Sequence, residues 1–149
     1  MKSRENEEEP LGRIFSHLGR LYLAELNKKL YHTDLKRSYY ALIQIEKSGG
    51  ELTQNELAAR LKTDKVLVVR IIDYLSGNGY VERIKNPADR RKYSLTLTEK
   101  AKQQLPYIKT AIEEVTEEAL DGLTDDERTW LYKTLNKIKL SLNKYTNTL

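Results

Sequence analysis

The chain has 149 residues, 39% of them hydrophobic and 32% charged, with a formal net charge of +4 and no cysteine. That length predicts a single domain over residues 1–149, large enough to bury a substantial core. The composition excludes a disulfide framework, a thiol nucleophile and a thiol redox switch. Apolar runs such as Val66-Leu67-Val68-Val69 fall far short of a membrane span, so no membrane partner is expected. The opening MKSRENEEEP lacks the apolar core of a secretory signal, which points to the cytoplasm.

Residues 1–9 are polar and acidic, a lead-in with little to bury. From Pro10 to Tyr31, apolar residues at Leu11, Ile14, Leu18, Leu21 and Tyr22 follow helical spacing, and Pro10 suits the first turn of that helix. A second helix is predicted from about Leu35 to Lys47, capped by Asp34 and ended by Gly49-Gly50. Glu51-Leu52 is long enough only for a small strand added to a neighbouring sheet. Thr53-Gln54-Asn55-Glu56 matches a capping box and opens a short helix to about Leu61, with Leu57, Ala58 and Leu61 inward. Thr63 or Asp64 caps the next helix, whose core face is Val68, Ile71, Ile72 and Leu75. Two short helices joined at Lys62-Thr63 make a helix-turn-helix.

Ser76-Gly77-Asn78-Gly79 stops the second of these helices, because glycine and asparagine tolerate the left-handed conformation found at helix ends. Tyr80–Ile84 and Tyr93–Leu97 alternate in period two and read as strands around a charged turn, residues 86–92. A long helix then starts at Thr98, its apolar positions Ala101, Leu105, Ile108, Ile112, Val115 and Ala119 in four-three spacing. Pro106 inside it should remove a backbone bond and kink it. After Asp121-Gly122-Leu123 a last helix begins at Thr124 or Asp125, striped by Leu131, Leu135, Ile138, Leu142 and Tyr145. The predicted fold is mainly α with a small β-hairpin wing. It is a winged helix-turn-helix, with the reading part over residues 35–100 and helical dimerisation parts over residues 10–31 and 101–146.

Charge is segregated along the chain. Residues 60–102 hold eleven Lys or Arg against five Asp or Glu, while the rest of the chain holds fifteen against seventeen. All the positive excess therefore lies in the winged segment, as a nucleic-acid reading head requires. At about 100° per residue, Val66 and Arg70 face away from the predicted core, flanked by Leu67 and Val69. Aliphatic side chains beside an arginine suit a major groove, where they meet thymine methyls while the arginine grips guanine. The bland alternative is that these aliphatics pack on the hairpin or a neighbouring helix. Lys65 is placed for a phosphate contact, and Gln54 joins the DNA-facing set. The wing tip offers Arg90, Arg91 and Lys92 behind Asp89, a basic finger able to enter a minor groove. Asp89 suits that role only by bonding a neighbouring arginine and fixing its direction. The terminal helices carry more apolar surface than a small reading head can cover, which points to a symmetric homodimer.

The segment Arg70-Ile71-Ile72-Asp73-Tyr74-Leu75, then Gly79-Tyr80-Val81-Glu82-Arg83, Asn86-Pro87-Ala88-Asp89-Arg90-Arg91 and Leu97-Thr98 resembles the MarR family of bacterial transcriptional regulators. The likeness in motif covers residues 53–101. It implies an obligate dimer held by the terminal helices, with recognition helices in successive major grooves of an inverted repeat. It makes Arg91 the minor-groove arginine and Asp89 its orienting partner. Val66, Leu67 and Val69 depart from the family, where polar residues are common at these places, which argues against base hydrogen bonds from them. The resemblance also implies release of DNA on binding a small aromatic or phenolic effector, for which His17, Tyr39 and Tyr107 are the candidates. By type each reads first as a buried or half-buried structural residue.

No metal or cofactor is expected: a zinc site would have only His17, His32 and carboxylates to draw on. No Ser-His-Asp set, Gly-rich phosphate loop or His pair at ligand spacing is present, so an enzyme is disfavoured. The expected function is a dimeric, sequence-specific regulator of transcription, a repressor bound to double-stranded DNA at an inverted repeat. The competing reading is a winged-helix protein-interaction module that uses the same aliphatic patch.

Overall fold

Thr53, Asp64 and Thr98 each start a helix by accepting a backbone N–H that would otherwise lack a partner. The computed structural model describes residues 9–33, 35 and 38–146. The elements run α1 (Leu11–Lys29), α2 (Tyr39–Lys47), β1 (Leu52–Thr53), α3 (Gln54–Leu61), α4 (Lys65–Gly77), β2 (Val81–Lys85), β3 (Tyr93–Leu97), α5 (Glu99–Leu120) and α6 (Asp125–Thr146). The chain divides into two compact units, the first ending at Glu113 and the second beginning at Glu114.

Pro10 sits just outside α1 as its cap, not in its first turn, and its carbonyl accepts from Arg13 N–H at 2.8 Å and Ile14 N–H at 3.2 Å. The second helix starts four residues later than the apolar spacing suggested. Leu35 is fully buried, but from a turn closed by Ser38 N–H on its carbonyl at 2.9 Å. The predicted cap Asp34 lies outside the described residues. At α3 both halves of the capping box form: Glu56 N–H donates to Thr53 Oγ1 at 3.2 Å and Thr53 N–H to Glu56 Oε2 at 2.8 Å. The Thr53 backbone bond, foremost, holds the Glu56 carboxyl below its usual range; the Thr53 hydroxyl and the positive Lys92 and Arg60 act the same way. Lys62 ends α3 in the left-handed conformation, and Asp64 Oδ1 then accepts Leu67 N–H at 2.8 Å to start α4.

At the far end of α4 the left-handed residue is Gly79, with φ 77°, while Asn78 stays at φ −95° and donates its side chain to Tyr74 O at 2.8 Å. The sheet has order β1-β3-β2, with Val81 opposite Leu97 and Leu52 opposite Leu95. The small strand thus lies one residue later than predicted and pairs with β3. Thr98 ties the wing base to α5: its hydroxyl donates to Gly79 O at 2.6 Å and accepts Ala101 N–H at 3.2 Å. Lys100 reaches back to Asn78 O at 2.8 Å and lies over the buried Tyr80 ring, 4.3 Å from its centre.

The core of the first unit gathers Leu26 from α1, Leu42 and Ile45 from α2, Leu57 from α3, Ile72 and Leu75 from α4, and Leu95 from β3, all essentially inaccessible. On α5 the buried positions are Ala101, Leu105, Ile108, Ala111 and Val115, so Ala111 takes the inner place expected of Ile112, and Ala119 is exposed. Pro106 lies inside α5, which continues through it. In the second unit Thr124 and Glu127 form another capping box, and Arg128 pairs with Glu117 at 2.8 Å. No helix among the described residues is long and apolar enough to cross a membrane.

Candidate nucleic-acid interface

The 3.6-residue repeat of α4 divides it cleanly. Val68, Ile72 and Leu75 seal the core, and Ile71, predicted among them, is only half-buried. The opposite side leaves Val66 65% exposed, Leu67 43% and Val69 41%, with Lys65 and Arg70 exposed beside them. The aliphatics are therefore not taken up by the hairpin or a neighbouring helix, the alternative that the sequence left open. Leu67 and Ile71 form one wall of a shallow cleft of about 350 Å³, bounded by Ser38, Tyr40 and Lys62. Among the described residues, no hydrogen bond or ion pair engages the side chains of Lys65 and Arg70.

Gln54 is differently employed. Its Oε1 accepts Arg83 Nε at 2.7 Å, while Arg83 Nη2 donates to Asp73 Oδ1 at 2.5 Å. One guanidinium therefore links α3, α4 and β2, with Gln54 serving as a strut whose carbonyl is committed. Nothing in the local pattern around Gly79-Tyr80-Val81-Glu82-Arg83 announces this role. The partners are 29 and 10 residues away, and only the packing of the hairpin brings them together.

The wing turn is held by its own backbone. Asn86 N–H donates to Lys92 O at 2.9 Å, Ala88 N–H to Asn86 Oδ1 at 2.9 Å and Lys92 N–H to Asp89 O at 3.0 Å. Asp89 Oδ1 accepts Arg91 N–H at 3.0 Å. The carboxylate thus bonds the neighbouring arginine through its backbone N–H, the donor that an aspartate at a turn reaches two residues on. Arg90, Arg91 and Lys92 are all exposed at the tip.

The MarR family model matches residues 35–92, the span from Leu35 through the wing tip. A MarR transcriptional regulator from Methanosarcina mazei is similar over 93% of this chain and 99% of its own, with 27% identity and a TM-score of 0.82. Over the reading segment and over most of its length, the chain is similar to MarR regulators. A cysteine-to-serine mutant of MarR from E. coli, solved in complex with operator DNA, is similar over 91% of this chain and 98% of its own, with 28% identity and a TM-score of 0.80. An uncharacterised HTH-type transcriptional regulator of Bacillus subtilis, YybA, is 28% identical over 112 residues, 74% of each chain.

The three residues expected to meet an effector are not drawn together. His17 is exposed on α1, Tyr107 is 63% exposed on α5 with its ring 6.4 Å edge-on from His32, and Tyr39 is half-buried at the start of α2. No hydrogen bond or ring contact among the described residues joins any two of them. Burial, and then the neighbouring Tyr22, push the Tyr39 phenol above its ordinary value, which keeps it a neutral donor.

Proposed function

We propose that this chain is a dimeric, sequence-specific DNA-binding regulator of transcription that acts as a repressor on an inverted-repeat operator. One observation carries the reading: α4 presents Val66, Val69 and Arg70 to solvent while Val68, Ile72 and Leu75 on its other side are buried, and the wing tip exposes Arg90, Arg91 and Lys92. Arg70 and Lys65 on α4 supply a base grip and a phosphate contact, and the wing arginines supply the minor-groove insertion. The relative bound to operator DNA supports the same use of this scaffold.

A second copy of the chain is the natural cover for the terminal helices. On α1, Leu11, Leu18 and Leu21 are each more than half exposed, and on α6 Trp130, Leu140 and Leu142 are as bare. Large apolar residues at helical spacing left in water mark an interface. Regulation by a small aromatic effector rests on the family alone, and His17, Tyr39 and Tyr107 remain its candidates.

The test is capture of fragments of the source genome by the full chain, followed by footprinting. Retention of fragments that share an inverted repeat supports the proposal; retention no better than for unrelated duplex refutes it. The exposed aliphatics also suit a protein-binding module. Arg70→Ala with Arg91→Ala separates the two, since DNA binding collapses while an apolar protein contact survives.

A further inference from the structure

From Lys65 to Ile72 no side chain of α4 can accept a hydrogen bond: the run is Lys, Val, Leu, Val, Val, Arg, Ile, Ile. The carboxylates on either side of it are committed within the protein, Asp64 to Leu67 N–H at 2.8 Å and Asp73 to Arg83 at 2.5 Å. Gln54, at the start of α3, gives its carbonyl oxygen to Arg83 at 2.7 Å. What α4 shows to solvent in its first two turns is therefore three aliphatic side chains and two cations.

In a major groove that inventory is selective. Cytosine N4 and adenine N6 are donors, and only an acceptor can read them. Guanine offers the acceptors O6 and N7, and thymine offers a C5 methyl group. The face can grip guanine and touch methyls, and it cannot bond an amino group. Val66, Val69 and Arg70 stand at i, i+3 and i+4, so they form one continuous patch. Val66 and Arg70 lie about 6 Å apart along the axis, close to two base-pair steps of roughly 3.4 Å each. Positive charge on both sides of the patch matches the phosphates that border a groove, whereas a protein groove for the same aliphatics has no need of Lys65, Arg70 and the cationic wing together.

Resting on the reading of α4 as the groove helix, we propose that this protein reads its operator half-site through thymine methyl groups, touched by Val66 and Val69, beside one guanine held by Arg70. The N6 amino group of adenine and the N4 amino group of cytosine go unread by this face.

The test uses the full chain and a duplex it retains from genomic DNA, resynthesised with deoxyuridine for thymidine inside the footprint and, separately, outside it. Burying one methyl group corresponds to about a fourfold change in affinity. The expected result is about fourfold weaker binding for each contacted thymine replaced, with no change for replacements outside the footprint. Val66→Ala combined with Val69→Ala abolishes the preference for thymine over uracil inside the footprint. Both positions are exposed, so the variant keeps its fold. Equal binding of thymine and uracil duplexes by the wild type overturns the methyl reading while leaving operator binding intact. A preference that survives in the double variant also overturns it. Failure to retain any fragment better than unrelated duplex is a different outcome and removes the proposed function with it. Loss of a protein partner in the double variant, with DNA affinity unchanged, assigns the patch to protein and likewise overturns the proposal.

Discussion

Replacing Arg83 with Ala should loosen the joint between the wing and the helix-turn-helix, because this one guanidinium reaches both Gln54 and Asp73. The Arg83 side chain keeps 30% of its accessible surface and Asp73 keeps 60%. Solvent therefore screens the pair, and it belongs at the upper end of the exposed range, about 1 kcal/mol. The part-buried bond to Gln54 carries charge on its donor and adds about 1 kcal/mol. Arg83→Ala is thus expected to cost about 2 kcal/mol in urea unfolding, and a double-mutant cycle with Asp73→Ala to return a coupling of about 1 kcal/mol. Raising salt from about 0.1 M to about 1 M shortens the screening length from roughly 10 Å to roughly 3 Å. The Asp73 coupling should shrink accordingly, while the coupling to Gln54 changes little. Amide exchange over Val81–Lys85 should quicken in Arg83→Ala, since β2 loses its tie to α3 and α4. A coupling below about 0.3 kcal/mol, or one indifferent to salt, would refute the joint as described.

The two faces of α4 should respond oppositely to truncation. Ile72→Ala, at a fully buried site, is expected to cost about 2–5 kcal/mol of stability, whereas Val66→Ala changes urea stability by less than about 0.5 kcal/mol. The Glu56 carboxyl, held low chiefly by the Thr53 backbone N–H, stabilises the fold above the ordinary glutamate range, near pH ~4.3, and that contribution fades as pH falls through it. Glu56→Gln should flatten this part of the acid unfolding profile. The raised Tyr39 phenol has the opposite sign: its contribution is present below the ordinary tyrosine value, near ~10, and fades as pH rises beyond it, so Tyr39→Phe should flatten the alkaline limb. Leu18→Asp with Leu21→Asp on α1 should shift the chain from dimer to monomer in sedimentation, since both leucines are more than half exposed in the protomer. An unchanged mass would place the dimer interface elsewhere.

Much of the reading head was legible because its signals are local. The capping box of Thr53 and Glu56, the Asp64 cap and the strand Tyr93–Leu97 each depend on neighbours within four residues, and each is present in the fold, although Ser94 and Leu95 are both buried and burial along the strand does not alternate. The start of α2 was not legible, because buried Leu35 matches the helical period from a turn and period alone cannot separate the two. On α5 Ala111 is buried where the four-three repeat pointed to Ile112, and nothing in the spacing marks that exchange. The joint made by Arg83 was invisible for another reason. It is assembled by the return of a hairpin, and no spacing in the chain encodes which cation meets Gln54 and Asp73. Asp89 was identified as an orienting group, but whether a carboxylate takes a backbone N–H or a guanidinium is decided by turn geometry.

The dependence of DNA affinity on salt tests the central claim most directly. With a duplex retained from genomic DNA, log affinity of the wild-type chain should fall linearly with log salt, with a slope set by roughly 6–10 neutralised phosphates. Arg70→Ala with Arg91→Ala should weaken binding at least about tenfold and make the slope shallower. A flat salt dependence, or a double variant that binds as tightly as the wild type, would contradict the account.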